Sequence, residues 1–135
     1  MVKDTASGQG TQEPVVFIVD DDDSVRRALA RLVRWAGHQA ETFNSGTAFL
    51  ASGRLQDPGC VLLDLCMPGM GGLEVSTRLA DLGSAISVIY MSAYEEELAR
   101  LQLQPGRAGA FLRKPFDDQD VMAAVQAALA TAEDG

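Results

Sequence analysis

Acidic, hydroxyl and ammonium side chains follow short apolar segments at four places in this sequence. Asp64 directly follows one such segment, and Asp20 and Asp21 directly follow another. Ser92 ends a third segment, and Lys114, itself followed by a proline, ends a fourth. Apolar segments of this length that stop at turn residues are typical of buried strands in a parallel sheet. Because functional side chains collect where such strands end, we expect these five residues to lie close together.

The chemistry of this set can be worked out from its charges. Two carboxylates about 5 Å apart repel each other by roughly 3 kcal/mol at an effective dielectric constant of about 20. We therefore expect a cation among the three aspartates, and oxygen-only ligands favour Mg²⁺ over zinc. With the Lys114 ammonium and the Ser92 hydroxyl beside it, such a cation would stabilise a transferring phosphoryl group. Asp64 would be the nucleophile and would form an acyl phosphate.

The elements that must position these groups alternate strictly between strand and helix. Strands are predicted at residues 15–19, 39–43, 61–63, 86–91 and 110–113, and helices at residues 23–36, 45–52, 73–82, 95–103 and 117–131. This alternation predicts an α/β fold, with one parallel sheet and helices on both of its faces. Right-handed crossovers leave few topologies, of which a doubly wound five-stranded sheet of order 2-1-3-4-5 is one common solution.

Two helices carry more detailed expectations about caps and buried positions. Asp23 or Ser24 is expected to cap the first helix, since both residue types accept hydrogen bonds from free backbone N–H groups. Leu73, Leu79 and Leu82 are expected to point from the third helix into the core.

Basic residues recur at helical spacing along the first helix, at Arg27, Arg31 and Arg34. One interpretation is an ordinary solvated helix face. The other is a docking surface for an acidic or phosphate-bearing partner. The sequence leaves both open.

Length and composition limit the class of protein. The chain has 135 residues, enough for one domain, which we place at residues 14–132. Residues 1–13 are polar and are expected to form a disordered leader, and residues 133–135 a short tail. A net charge of −8 argues against direct binding of nucleic acid by this chain. Two cysteines without metal or disulfide spacing indicate free thiols in the cytoplasm, and no apolar run is long enough to span a membrane.

Four short motifs together resemble the receiver domains of bacterial two-component response regulators, which have a flavodoxin-like fold. They are VDDD at 19–22, LLDLCMPGMGG at 62–72, MSA at 91–93 and FLRKPF at 111–116. Each motif is weak alone, but their order and spacing are highly specific. The run KPFDDQD and the start of the domain are most similar to receivers of the FixJ type. Those receivers usually precede a DNA-binding helix-turn-helix, which is not found in this sequence.

The resemblance implies a metal site and a phosphorylation site that share one residue. Asp64 would be the residue that is phosphorylated. Asp21 and Asp64 would bind Mg²⁺ directly, together with the backbone carbonyl of Cys66, while Asp20 would act mostly through water. Mn²⁺ could substitute for Mg²⁺.

The resemblance also implies roles for the residues around the phosphoryl group. Ser92 and Lys114 would contact it, and Phe111 would be the switch aromatic that turns inward when Ser92 moves toward the phosphate. Cys66 and Tyr94 occupy positions that tune the rate of dephosphorylation in this family. We expect the Cys66 thiol to be unreactive, because its anionic neighbours should raise its pKa.

The implied function is regulatory rather than enzymatic. A sensor histidine kinase or a phosphotransfer protein would donate the phosphoryl group to Asp64, and the domain would then change its signalling face. That face, made by the fourth helix, fifth strand and fifth helix, is also a possible homodimer contact. Two alternatives remain. One is a phosphohydrolase with an aspartate nucleophile, although Asp64-Leu65-Cys66 lacks the second aspartate of such enzymes. The other is a degenerate receiver that only binds partners.

The fourth helix departs from the family pattern. It is expected to end by about Leu103, because Pro105 lacks a backbone donor and disfavours helical geometry in the residue before it. Leu98 and Leu101 can share an inward face. We hypothesise that residues 95–109 are mobile before phosphorylation and that Leu103 contributes to a partner or dimer contact afterwards.

Overall fold

A five-stranded parallel sheet forms the middle layer of the protein, with strand order β2-β1-β3-β4-β5. The computed structural model describes residues 13–102 and 110–134. The strands are β1 (Val15–Val19), β2 (Gln39–Phe43), β3 (Gly59–Asp64), β4 (Ser87–Ser92) and β5 (Ala110–Arg113). The helices are α1 (Asp23–Trp35), α2 (Gly46–Leu50), α3 (Gly72–Asp81), α4 (Glu95–Gln102) and α5 (Asp118–Asp134). The predicted α/β class, the parallel sheet and its doubly wound order are confirmed.

The two faces of the sheet bury two separate apolar clusters. Alternate residues of a strand point to opposite faces, so β1 and β3 contribute to both clusters and read as continuous apolar runs. One cluster joins one face of the sheet to α2, α3 and α4 through Phe17, Leu63, Phe49, Leu79 and Leu98. The other joins the opposite face to α1 and α5 through Ile18, Leu62, Leu29, Val33, Val121 and Val125. Burial on both faces fixes the strands, and therefore the residues at their ends.

The register of the sheet brings the carboxyl ends of four strands to one edge. Val19 pairs with Leu63, and Asp64 pairs with Met91 in the neighbouring strand. At the end of β5, the backbone N–H of Lys114 donates to the carbonyl of Ser92 at 2.8 Å. Residues that directly follow or end these strands therefore share one edge.

The cap of α1 is one residue earlier than predicted. Asp22, rather than Asp23 or Ser24, is the N-cap, and its side chain accepts a hydrogen bond from the N–H of Val25 at 3.1 Å. Asp23 is already the first residue of the helix and forms an ion pair with Arg26. The sequence allowed this error because consecutive acids offer several equivalent caps.

The buried face of α3 differs from the prediction at two of three leucines. Leu79 is buried as expected, but Leu73 and Leu82 are 38% and 56% exposed. The helix instead buries Val75 and Ser76, which lie on the same side as Leu79. Because one residue turns a helix by about 100°, Leu73 falls about 120° away from Leu79 around the helix axis. Leu82 lies beyond the last helical residue, as the C-cap.

The last helix, α5, extends further than predicted. The final helix continues to Asp134 rather than ending at Thr131, so residues 133 and 134, which were assigned to a tail, are helical. In α4, Leu98 is buried as expected. The expectations for Leu103 and Pro105, and for the leader at residues 1–12, lie outside the described residues. Within the described part of the chain, no helix combines the length and apolar character needed to cross a bilayer.

Candidate functional site

Three carboxylates meet at the carboxyl edge of the sheet. Asp64 ends β3 and Asp20 directly follows β1, and both are buried, at 4% and 0% exposure. Asp21 is exposed at the rim. Each of the three offers one oxygen, and these oxygens all lie within 4.8 Å of one another. The structure therefore brings together the acids that the sequence placed at separate strand ends.

Lys114 reaches these carboxylates from the end of β5, where its peptide bond to Pro115 is cis. Its Nζ lies 2.9 Å from Oδ2 of Asp20 and 3.6 Å from Oδ1 of Asp64. Burial favours the neutral amine, but the hydrogen bond and charge of Asp20, with the charge of Asp64, raise the pKa of Lys114 overall. The ammonium is thus held charged between the two buried acids.

Three carboxylates lie beside one ammonium at this edge of the sheet. Burial and this excess of negative charge together affect the pKa of Asp64. Burial, followed by the charge of Asp20, raises the pKa of Asp64 to about 6 from its ordinary 3.8. The charge of Lys114 and the N–H of Cys66, which donates to Oδ1 of Asp64 at 3.2 Å, act in the opposite direction without compensating. More positive charge at this edge would lower the pKa of Asp64 and favour its ionised form.

The donor set fits a divalent cation that prefers oxygen ligands. Two oxygens on opposite sides of an octahedral Mg²⁺ lie about 4.2 Å apart, at about 2.1 Å each from the ion. The three carboxylate oxygens all lie within 4.8 Å of one another, which is close to the span that one such ion could bridge. Asp20 has both oxygens engaged, because Oδ1 accepts the N–H of Asp22 at 2.9 Å and Oδ2 contacts Lys114. Such an acid is better suited to hold a metal-bound water than to bind the ion directly.

A glycine allows the loop after β3 to close against Asp64. A Cβ atom at Gly72 would lie 2.4 Å from the carbonyl oxygen of Asp64, so no larger residue fits without moving the backbone. The N–H of Gly72 donates to the carbonyl of Leu65 at 3.3 Å. The start of α3 is thereby packed on the strand end that carries the acid.

Arg26 supports the acidic loop and was not singled out by the sequence. This half-buried side chain donates from Nη1 to the carbonyl of Asp20 at 2.9 Å, while Nη2 pairs with Asp23. It therefore holds the backbone beside Asp21 in place. The available signal was its position, four residues beyond the α1 cap, which sets it apart from the exposed arginines that follow.

Ser92 is fully buried at the end of β4, and the partners of its hydroxyl are Glu97 and Tyr94 rather than Asp64. Oγ donates to Oε1 of Glu97 at 2.5 Å and accepts the N–H of Tyr94 at 2.9 Å. Glu97 lies in the first turn of α4. Its contact with Ser92 had no signal in the sequence.

Comparison with known proteins identifies the family of this fold and site. The family described as the response regulator receiver domain matches residues 16–126. The chain belongs to this family. The resemblance inferred from the four motifs is therefore confirmed.

Individual relatives of this receiver domain carry related names. It is 41% identical over 120 residues to the response regulator protein TmoT of Ectopseudomonas mendocina, covering 87% of this chain and 54% of the relative. It is 39% identical over 121 residues to the transcriptional regulatory protein FixJ of Azorhizobium caulinodans, covering 89% of this chain and 57% of the relative. The chain thus spans little more than half the length of these relatives.

Solved structures agree with the receiver fold. The response regulator StyR superposes with a TM-score of 0.80 at 36% identity, covering 91% of this chain and 62% of that one. Full-length FixJ from B. japonicum superposes with a TM-score of 0.79 at 31% identity, covering 91% of this chain and 61% of that one.

The other residues that the resemblance assigns to the receiver site differ in their burial. Phe111 is half-buried and stacks on Tyr90, with ring centroids 5.6 Å apart and 23° between the planes. Tyr94 is 59% exposed. The Cys66 thiol is free and exposed, and partial desolvation followed by the charge of Glu97 raises its pKa, the direction expected from its anionic neighbours.

Proposed function

We propose that this chain is a phosphoacceptor receiver in a two-component phosphorelay, in which Asp64 accepts a phosphoryl group in a Mg²⁺-dependent reaction. The donor is the phosphohistidine of a sensor histidine kinase or of a phosphotransfer protein. The observation that carries the proposal is the placement of one buried carboxylate, Asp64, between a lysine ammonium and two further carboxylates. That arrangement supplies a nucleophile, an ammonium that neutralises charge on a phosphoryl group, and carboxylates that would hold a cation.

The chemical step can be assigned to particular atoms of Asp64. Oδ1 already accepts the N–H of Cys66, so we assign the attack on phosphorus to Oδ2. A bond forms between Oδ2 and phosphorus as the bond from phosphorus to the donor nitrogen breaks, and the leaving imidazole keeps that electron pair. Lys114 stands beside Oδ1 and neutralises charge on the transferring group.

The cation would be held by Asp21, Asp64 and the backbone carbonyl of Cys66, with Asp20 acting through water. Mg²⁺ supplies positive charge that stabilises the phosphoryl oxygens, and Mn²⁺ could substitute. The chain's own part is to keep Asp64 ionised and aligned. Burial and Asp20 raise the pKa of Asp64 to about 6, so Asp64 is mostly ionised at neutral pH and added positive charge would favour that form further.

Phosphorylation would change the receiver through Ser92 and Phe111. Ser92 would turn its hydroxyl toward the phosphoryl group, and Phe111 would settle further inward against Tyr90. Cys66 and Tyr94, at the rim, would set how readily water reaches the acyl phosphate. We therefore assign the chain a regulatory role in which it promotes its own phosphorylation and dephosphorylation.

The donor would dock on the basic surface of α1. Arg27, Arg31 and Arg34 are all exposed, and Trp35 beside them is 85% exposed. A groove lined partly by Arg31 and Trp35 continues to Asp118 on α5. A second contact, through α4, β5 and α5, would serve a homodimer or an output partner. We place this function in residues 14–132 and in the cytoplasm.

Labelling with acetyl phosphate tests the proposed function. Intact-mass measurement should show one phosphoryl group on the wild type with Mg²⁺, none with a chelator, and none on Asp64→Asn. Asp81→Asn is the matched control, since Asp81 is exposed at the end of α3 and should label like the wild type. Equal labelling of Asp64→Asn and the wild type would contradict the assignment. Continuous turnover of small phosphate esters would favour a phosphohydrolase instead.

A further inference from the structure

Glu97 makes a contact that the proposed reaction would have to break. A serine hydroxyl has one proton to donate. The nearer acceptor of the Ser92 proton is Oε1 of Glu97 at 2.5 Å, and the carbonyl of Tyr94 is a more distant acceptor at 3.3 Å. The hydroxyl is fully buried and is held from the other side by the N–H of Tyr94. In this arrangement the hydroxyl cannot donate to a phosphoryl group on Asp64.

The same carboxylate also touches the loop that follows Asp64. The Cys66 thiol lies 3.5 Å from Oε2 and 3.9 Å from Oε1 of Glu97. The N–H of Cys66 in turn donates to Asp64. Glu97 therefore connects the end of β4 with the loop after β3, and it does so from the first turn of α4.

The backbone of this turn is tied to the loop between β4 and α4. The N–H groups of Glu97 and Leu98 both point to the carbonyl of Tyr94, at 3.1 and 3.4 Å. A movement of Ser92 toward Asp64 would separate it from Glu97 and would disturb the start of α4. Leu98, the next residue, is buried in the core on this side of the sheet. The position of the Ser92 hydroxyl is thus coupled to the position of α4.

We propose that Glu97 is a positioning residue that holds the Ser92 hydroxyl and the start of α4 in the unphosphorylated arrangement, and so opposes the phosphorylated one. This inference rests on the proposed function, because it concerns the same site. Glu97 does not touch the reacting atoms and acts through Ser92. Removing its charge should therefore make binding of a phosphoryl group or its mimic more favourable.

Binding of beryllium trifluoride, a phosphoryl mimic, in the presence of Mg²⁺ measures this effect. A hydrogen bond to an ionised acceptor is about twice as strong as one to a neutral acceptor, so we expect Glu97→Gln to bind the mimic about tenfold more tightly than the wild type. Glu97→Ala should show at least the same gain. Glu96→Gln removes the same charge from an exposed neighbour in the same turn and should bind like the wild type.

A Ser92→Ala background separates positioning from general electrostatics. Because Glu97 acts through the hydroxyl, adding Glu97→Gln to Ser92→Ala should leave binding unchanged, so the two substitutions should be non-additive. Amide NMR shifts at Tyr94 should move in Glu97→Gln before any mimic is added, which reports the changed loop independently of binding.

The possible outcomes are distinct. Equal affinity of the wild type and both Glu97 variants would overturn the inference and leave the proposed function intact. The inference would also be overturned if Glu97→Gln gave the same gain in affinity for the mimic in the Ser92→Ala background, or if Glu96→Gln gave that gain as well. Failure of the wild type itself to bind the mimic, or equal binding by Asp64→Asn, would overturn the proposed function and the inference with it.

Discussion

Replacing Asp64 with asparagine should stabilise the fold at neutral pH in metal-free buffer. The pKa of Asp64 is raised to about 6, above the ordinary 3.8, chiefly by burial and by Asp20. Between these two pH values the folded state binds more protons than the unfolded state, so the free energy of unfolding falls as pH rises through this window. At pH values above this window, the ionised carboxylate of Asp64 lowers the free energy of unfolding by the largest amount that the difference between the two pKa values allows.

The size of the effect follows from the gap between the two pKa values. At about 1.4 kcal/mol for each pKa unit, the gap corresponds to about 3 kcal/mol at most. Water and ions at the exposed Asp21 reduce the repulsion, so we expect Asp64→Asn to gain about 1–3 kcal/mol at about pH 8. The gain should fall to roughly half at about pH 5, where the folded wild type is mostly protonated at this residue.

Urea unfolding followed by far-ultraviolet circular dichroism measures this difference. The wild type, Asp64→Asn and the control Asp81→Asn would be compared with a chelator at both pH values, and then with excess Mg²⁺. The cation should stabilise the wild type more than Asp64→Asn. The difference between their free energies of unfolding should therefore become smaller. Finding Asp64→Asn no more stable than the wild type with the chelator at the higher pH would refute the reasoning. A gain in Asp81→Asn of the same size would refute it too.

The acidic loop and the α1 surface give two further predictions. Asp21→Ala should weaken Mg²⁺ binding far more than Asp22→Ala in a calorimetric titration, because Asp22 caps α1; equal losses would count against Asp21 as the direct ligand. Reversing the charges of Arg27, Arg31 and Arg34 should slow transfer from a histidine-phosphorylated partner while labelling by acetyl phosphate stays nearly unchanged. Parallel loss of both reactions would argue against a docking role.

The sheet and the central acids could be predicted because simple rules determine them. Strands buried on both faces are apolar throughout, so β1 and β3 were visible as uninterrupted runs. Right-handed crossovers then limited the strand order. Asp64 and Lys114 end or directly follow strands, so their place at the edge required only the register of the sheet.

Contacts that depend on loop geometry could not be predicted in the same way. Glu97 meets Ser92 only because the short loop before α4 sets the rotation of its first turn. The errors at Leu73 and Leu82 have another cause. Leu79 lies six positions after Leu73, which places the two on different faces of α3, and Leu82 is the C-cap rather than part of the helix. Among consecutive acids, the choice of Asp22 as the cap depends on backbone dihedral angles that residue type does not reveal.

Mapping the phosphorylated residue tests the central claim most directly. Borohydride reduces an aspartyl phosphate to homoserine, which peptide mass spectrometry locates at a single position. After treatment with acetyl phosphate and Mg²⁺, homoserine should be found at Asp64 and should be absent when a chelator replaces the metal. Homoserine at Asp20 or Asp21, or none at Asp64 in a sample whose intact mass shows a phosphoryl group, would contradict the assignment of Asp64 as the phosphoacceptor.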